Sequence, residues 1–324
     1  MLKDLKLGLG HETLLKMYHP RALEIYNMTT DLKMVFDPKN LELGVFKVFY
    51  PIKPMLAGKL NLAQIREFVK EKSDLADHIY VETKFDGERI QVHYSMSIVQ
   101  YYSRNGHDVS QIYGPKLSPV IKSALVSTVS ECILDGEIVV WDLEKDKQAP
   151  FGQNKHIAST DTQGFELRFL IFDILYLSQT TQSGEPILLQ RTLKDRKFLL
   201  DSVIKPKSKQ CQVVHFHKCE RPEQVLRLFE EAALDRGEEG LILKDPNSKY
   251  IPTDRSQSFW IKLKTDYIDQ LGDSVDLVIL GGYYGKRQTE DSVNRFLMGI
   301  RQGSKCVPCV KVGSGLSVDE LENL

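Results

Sequence analysis

The period of the hydrophobic positions changes near residue 80. Over residues 1–38, Leu, Ile and Met recur among Lys and Arg at helical spacing, which predicts mildly basic helices. Met28-Thr29-Thr30-Asp31 ahead of Leu32, Met34 and Val35 predicts a further helix start. Asp37-Pro38, Gly44 and two later prolines break the pattern over 37–54 and predict a linker or boundary. Residues 62–72 place Ile65, Phe68 and Val69 on one helical face.

From residue 80 the pattern is that of strands. Ile90, Val92 and Tyr94 alternate with polar residues, and 99–103 follows after a short turn. Residues 133–141 and 167–176 are apolar runs whose β-branched and aromatic content predicts buried strands. Pro222 opens a helix with Val225, Leu226, Phe229 and Ala233 on one face, closed at Arg236-Gly237. Gly240–Lys244 and 259–264 read as short strands, and 275–284 begins another before a loop rich in Gly, Lys and Arg. Helices, then a mixed sheet domain, then the start of a small β domain predict an α+β fold of mostly antiparallel sheets flanked by helices.

At 324 residues the chain has room for two domains and a piece of a third. A hydrophobic share of 42% is enough for a real core. No apolar run of roughly eighteen residues occurs, so no membrane partner is expected. Met1-Leu2-Lys3-Asp4 lacks the start of a secretory signal. Five cysteines without framework spacing fit a reducing compartment. Cys306-Val-Pro-Cys309 lacks a second pair of zinc ligands and reads as two small buried side chains in or beside a strand. His93, His107, His156, His215 and His217 show no metal spacing, and His215-Phe-His217 reads as a strand-face pair. The net charge of −1 does not announce a nucleic-acid binder, but a cleft can be basic while the far surface is acidic.

The most informative segment is Glu82-Thr83-Lys84-Phe85-Asp86-Gly87-Glu88-Arg89. A lysine between an apolar strand and a glycine turn can be fixed at the floor of a cleft, with Gly87 letting Arg89 return to the same place. A lysine nucleophile must lose a proton held with an ordinary pKa of about 10.4, which nearby cations and desolvation would lower. Arg89, Lys262 and Lys264 are the candidate neighbours. Five further elements follow in order: Ser103-Arg104-Asn105-Gly106, Asp135-Gly136-Glu137, Phe172-Asp173, the run from Glu239-Gly240 to Lys244, and Trp260-Ile-Lys262-Leu-Lys264.

This ordered set, spanning residues 82–264, resembles the covalent nucleotidyltransferases, which include ATP-dependent DNA ligases, RNA ligases and mRNA capping enzymes. The resemblance implies that Lys84 accepts AMP from ATP. It implies that backbone near Glu82 and Thr83, with Phe85 beside them, reads the adenine edge while Phe172 stacks on its face, a contact worth about 1–3 kcal/mol. Arg89 and Arg104 become ribose or phosphate contacts, and Lys244, Lys262 and Lys264 phosphate clamps. Glu137 and Glu239 become ribose-binding or magnesium-associated carboxylates, with Mg2+ and ATP as cofactors. Lys155 joins the nucleotide site on a looser alignment.

Within that family the chain resembles the eukaryotic end-joining branch of the DNA ligases. Leu2-Lys-Asp-Leu-Lys-Leu-Gly8, Thr29-Thr30-Asp31-Leu32, Lys53-Pro-Met-Leu-Ala57, Ser103-Arg-Asn-Gly-His107 and Gly281-Gly-Tyr-Tyr-Gly-Lys286 carry this likeness. It implies three parts: 1–45 as the last piece of a helical DNA-binding domain, 46–268 as the adenylation domain, and 269–324 as a partial oligonucleotide-binding (OB) fold. It implies broken duplex DNA and end-joining scaffold proteins as partners, the latter through regions absent from this chain, and a nuclear location. The family's sixth motif is expected to lie beyond Leu324, so weak or no full ligation by this chain is expected. Two alternatives stay open: RNA ligation or mRNA capping, and an inactive fragment that binds nucleotide or DNA.

Overall fold

The computed structural model describes residues 10–43, 47–60, 62–73, 78–150, 152–160, 162–179, 187–232, 238–256, 259–264, 277–284, 293–303 and 305–313. The sequence readings at residues 2–8, Gly44, Ala233, Arg236-Gly237, 269–276, Gly285-Lys286 and Leu324 lie outside these residues. The chain divides into two compact units, Met1–Tyr267 and Ile268–Leu324.

Four short helices come first: α1 (His11–Tyr18), α2 (Ala22–Thr29), α3 (Leu32–Val35) and α4 (Pro38–Leu43). Leu15, Ala22, Ile25 and Val35 form a small core of their own. Asp31 caps α3 by accepting the Lys33 N–H at 2.8 Å. Asp37-Pro38, read as a boundary, instead starts α4. Proline suits the first helical turn, and Asp37 accepts the Lys39 N–H at 3.0 Å.

The middle of the chain supplies β1 (Gly58–Lys59), α5 (Leu62–Ser73), β2 (Ile79–Thr83), β3 (Glu88–Ser95), β4 (Ile98–Ser103), α6 (Ser110–Ala124), β5 (Val129–Asp142), β6 (Lys147–Gln148), α7 (Asn154–Ser159) and β7 (Phe165–Gln179). It continues with α8 (Leu193–Val203), β8 (Cys211–Val213), β9 (Phe216–Cys219), α9 (Pro222–Glu230), β10 (Gly240–Lys244) and β11 (Trp260–Lys264). One sheet has the order β4-β3-β5-β7-β8, with β6 on β5; the other has the order β1-β11-β10-β2-β9. The β7–β8 and β1–β11 pairs are parallel and the rest antiparallel.

The largest core lies under the first sheet, where Ile90, Val92, Leu134, Ile138 and Phe169 meet Tyr113, Leu117 and Ile121 of α6. A second core joins the two sheets through Ile52, Met55, Ile133, Leu175, Tyr250 and Trp260. Gly136 sits where β5 and β7 approach most closely. A Cβ there would lie 2.6 Å from the Leu170 carbonyl oxygen and from the Phe169 ring, so only glycine fits.

The alternation in β3 predicts one polar face, yet Gln91, His93 and Ser95 are all buried. The segment at 49–52 bonds to Gln91 and His93, while Ser95 donates to Glu131. His93 Nδ1 accepts the Phe49 N–H at 3.0 Å, and the Gln91 amide bonds both backbone groups of Ile52. Burial holds His93 well below its ordinary pKa, at about 3, so the ring is neutral.

The second unit holds β12 (Val278–Tyr284), β13 (Val293–Gln302) and β14 (Lys305–Val312) in one antiparallel sheet. Cys306 and Cys309 lie in β14 but are exposed, not buried as the sequence reading had them. Every residue of β14 is exposed, so the strand offers no covered face for them. Among the described residues no helix is long and apolar enough to cross a membrane.

Beneath the second core, Arg196 of α8 grips Asp173 of β7 at 2.7 and 2.9 Å, with neither side chain exposed. Burial opposes the Asp173 charge, but the Arg196 guanidinium holds its carboxyl below the ordinary range. Arg196→Met leaves that carboxylate buried without its partner and is expected to cost about 3–5 kcal/mol in denaturant unfolding at pH 7. The depressed Asp173 makes the loss shrink as pH falls through the folded pKa. A loss below about 1 kcal/mol at pH 7 would contradict this account.

Candidate active site

Between the two sheets opens a cleft of about 470 Å³. Much of its wall comes from strands, whose ladders aim Arg89, Glu137, Phe172, Lys262 and Lys264, while Lys84, Arg104 and Arg255 enter from segments between strands. Arg89 on β3 lies directly across from Glu137 on β5. Lys262 and Lys264, at i and i+2 on β11, pair with Ile242 and Gly240 of β10 and so share a face. Gly240 has φ +143°, and a Cβ there would stand 2.1 Å from the Leu263 carbonyl oxygen, which explains the glycine after Glu239.

Lys84 follows the end of β2, and its backbone N–H donates to the Gly240 carbonyl at 2.8 Å. Its ammonium pairs with Glu239, whose second oxygen takes Lys264. Burial works against the Glu239 charge, yet hydrogen bonds from Lys264 and Lys84 hold its carboxyl below the ordinary value. The direct partner of Lys84 is therefore a carboxylate, not the ring of cations expected from the sequence. Lys262 and Glu137 sense its charge at longer range.

Of the residues singled out in the sequence, Glu82, Thr83, Lys84, Phe85, Arg89, Arg104, Glu137, Phe172, Lys244, Lys262 and Lys264 line this cleft. Glu239 joins them through its two lysines. Lys155 does not: it is exposed on α7 and outside the lining. Glu82 is buried with both carboxylate oxygens facing lysines, Lys197 at 2.5 Å and Lys244 at 2.6 Å. The Lys244 ammonium is thus held inside the wall. Burial lowers its pKa to about 8 against the raising effect of Glu82. It also sits 4.5 Å from the Phe172 ring and 4.3 Å from Trp260.

Arg89 is fixed more firmly still. Its Nε and Nη2 donate to the two oxygens of Asp135 at 3.1 and 2.7 Å, and Nη1 donates to the Met55 carbonyl at 2.7 Å. Burial lowers its basicity, but Asp135, together with Tyr250 and Glu137, more than reverses this. Its guanidinium lies 5.2 Å from the Phe172 ring centre.

The cleft mouth is cationic. Burial, then Lys264, Arg255, Lys84 and Arg104 lower the pKa of Lys262. Burial, then Arg89 and Arg255 lower that of Arg104. Cations that repel one another in a half-open cleft are relieved by an anion with several oxygens, such as a polyphosphate. Glu137 stands opposite in character: burial pushes its carboxyl up to about 7, despite Arg89 and Lys84. A hard divalent cation would restore its charge, and magnesium needs only one or two protein carboxylates beside substrate phosphates. Glu137 fits that need. Both oxygens of Glu239 are held by lysines, and among the described residues no group of three His, Cys, Asp or Glu could hold a metal.

Four contributors carried no role in the sequence reading: Asp135, Tyr250, Lys197 and Arg255. Asp135 was visible inside Asp-Gly-Glu as a motif only. Arg255 lines the cleft from a loop that no pattern marks.

Residues 54–264 match the model of the ATP dependent DNA ligase domain. The chain is 33% identical over 345 residues to DNA ligase 4 of Gallus gallus, covering 100% of this chain and 36% of that protein. It is 32% identical over 351 residues to DNA ligase 4 of Dictyostelium discoideum, covering 93% of this chain and 31% of that one. The chain thus spans about a third of the length of these relatives. A solved Lig E DNA ligase shares the fold, with TM-score 0.50 and 16% identity over 84% of this chain and 88% of that one.

Glu137 gives a pH signature. Its folded pKa of about 7 exceeds the ordinary 4.5, so the folded protein binds the extra proton between those values. The stability of the ligand-free protein therefore falls through that window relative to Glu137→Gln. Denaturant unfolding at pH 5 and pH 8 is expected to show the variant gaining on the parent at the higher pH. An equal difference at both would refute the assignment.

Proposed function

The chain belongs to the ATP-dependent DNA ligase family, and from that premise we propose that it joins breaks in duplex DNA through an adenylate carried on Lys84. The observation that carries this reading is one cleft holding Lys84, Arg89, Glu137 and Phe172 under a cationic mouth.

In the first step the Lys84 amine forms a bond to the α-phosphorus of ATP, the bond to pyrophosphate breaks, and the amine gives up a proton. To attack, Lys84 must leave the Glu239 carboxylate. Arg89, held by Asp135, supplies a charge that does not move during the reaction, and preorganised charge of this kind lowers barriers without reorganisation. Phe172 presents a ring face for adenine. Lys262, Lys264 and Arg104 offset the charge that builds on the phosphates. Magnesium, which Glu137 suits, would add further charge on the phosphate oxygens. In the second step the bond from Lys84 to phosphorus breaks as the 5′-phosphate of the DNA end takes AMP. In the third, a 3′-hydroxyl attacks that activated phosphate, the phosphodiester forms and AMP departs.

The likeness to proteins named DNA ligase 4 along the chain supports a finer reading. It is double-strand break repair by non-homologous end joining, in the nucleus, with end-joining scaffold proteins as partners. The separate core of α1–α4 supports assigning 1–45 to a helical DNA-binding domain, with adenylation over 46–268 and an OB-type domain over 269–324.

Mass spectrometry after incubation with ATP and magnesium is expected to find AMP on the peptide containing Lys84. Lys84→Ala is expected to lower the adduct by more than about a thousandfold. An adduct that survives this change sinks the mechanism. Sealing of nicked RNA in preference to nicked DNA would move the reading to an RNA ligase.

A further inference from the structure

Tyr250 lies between β10 and β11, is 1% exposed, and carries no role in the chemistry above. A buried phenol needs partners for one hydrogen and its lone pairs. Tyr250 has a full set. Its hydroxyl donates to Asp135 Oδ2 at 2.9 Å, and it accepts the Met55 N–H at 3.1 Å and an Arg89 Nη2 hydrogen at 3.3 Å. Arg89 closes the ring from the other side through both oxygens of Asp135 and the carbonyl of Met55. One hydroxyl thus touches the guanidinium, the carboxylate that holds it, and the residue whose carbonyl the guanidinium binds.

Two carboxylates compete for Arg89. Asp135 holds it now, while Glu137 lies directly across the β3–β5 ladder and also feels its charge. Without the phenol, one Nη2 hydrogen and the Met55 N–H lose their acceptor and Asp135 loses a donor. The guanidinium then keeps its bonds to Asp135 and the Met55 carbonyl but loses the anchor that opposes a shift along the cleft toward Glu137. Burial and the Asp135 charge raise the Tyr250 pKa well above its ordinary value, so the group stays a neutral donor throughout the working pH range.

We propose that Tyr250 is a positioning residue for nucleotide binding, whose hydroxyl holds Arg89 on Asp135 and Met55 so that the cleft meets ATP with its charge already in place. This rests on the reading of the cleft as an ATP site.

Calorimetric titration of the whole chain with a non-hydrolysable ATP analogue tests it, using the parent, Tyr250→Phe, Arg89→Lys and the double variant. Loss of a hydrogen bond to charged groups predicts that Tyr250→Phe raises Kd on the order of tenfold at full stoichiometry. Added to Arg89→Lys, it is expected to change Kd by less than about twofold, because the group it positions has already been altered. A Kd within about twofold of the parent overturns the proposal, as does an effect that multiplies with Arg89→Lys. A merely structural role would lower the competent fraction and the melting temperature while leaving Kd alone, and that result also overturns it. Should Tyr250→Phe not fold, Asp135→Asn releases Arg89 from the other side and is judged by the same two criteria. A parent that binds no nucleotide sinks the ATP reading and this proposal together, whereas a parent that binds as tightly as Tyr250→Phe sinks only this one.

Discussion

Asp135 has no exposed surface, and a carboxylate so placed stays charged only when donors surround it. Two come from Arg89 and one from Tyr250. These partners belong to three different places: Asp135 to β5, Arg89 to β3, and Tyr250 to the excursion ahead of β11. The same arginine and tyrosine bind both backbone groups of Met55, in the segment that leads out of the helices. One buried charge therefore ties together both sheets and the incoming strap. The cleft exists because this knot holds its two walls at a fixed separation.

The charges around it form layers. Below, acids and bases are matched. Asp173 meets Arg196, and Glu82 meets Lys197 and Lys244. Helix α8 supplies two of these three buried cations, Arg196 and Lys197, and so reaches the acid beside Phe172 and the acid two positions before Lys84. Above, Arg255 lowers the basicity of both Lys262 and Arg104, and Arg104 lowers that of Lys262. Desolvation makes the lower pairs poor sources of net stability but strict about geometry. The upper cations gain most when an anion arrives. Rigidity and attraction are thus assigned to different residues, although all of them carry charge.

Much of the upper layer was legible in the sequence. Residues that face the cleft are spaced by strand periodicity, as Lys262 and Lys264 are, or stand beside a glycine that the backbone cannot do without, as Glu137 and Glu239 do. Such constraints are local and leave short patterns. The α+β class and the main strands β3, β5 and β7 followed from the same logic. Helix α6 did not, because Gly114, Pro115 and Pro119 lie inside it and propensity reads them as breaks. Its burial of Tyr113, Leu117 and Ile121 against the sheet overrides that local preference. The polar face of β3 was misleading for a related reason: Gln91 and His93 are covered by a segment some forty positions earlier, which bonds to them.

The pairings of the lower layer left no such trace, although Glu82, Asp173 and Lys244 stand within the short patterns. Met55 meets Tyr250 across 195 positions, Lys244 meets Glu82 across 162, and Tyr250 meets Asp135 across 115. No window of sequence contains both partners, and a lone Tyr or Lys inside an apolar run looks like core or surface. These separations also bear on how the site comes into being. Closing loops of that length costs entropy that no local turn repays, so none of these contacts is stable before the sheets have come together. Lys84 is placed by a backbone bond to Gly240 and an ion pair to Glu239, both 155 or more positions away. Lys84 therefore acquires its surroundings only when the first unit folds as a whole. A substitution in the buried layer can thus disturb the cleft without touching any residue at its mouth.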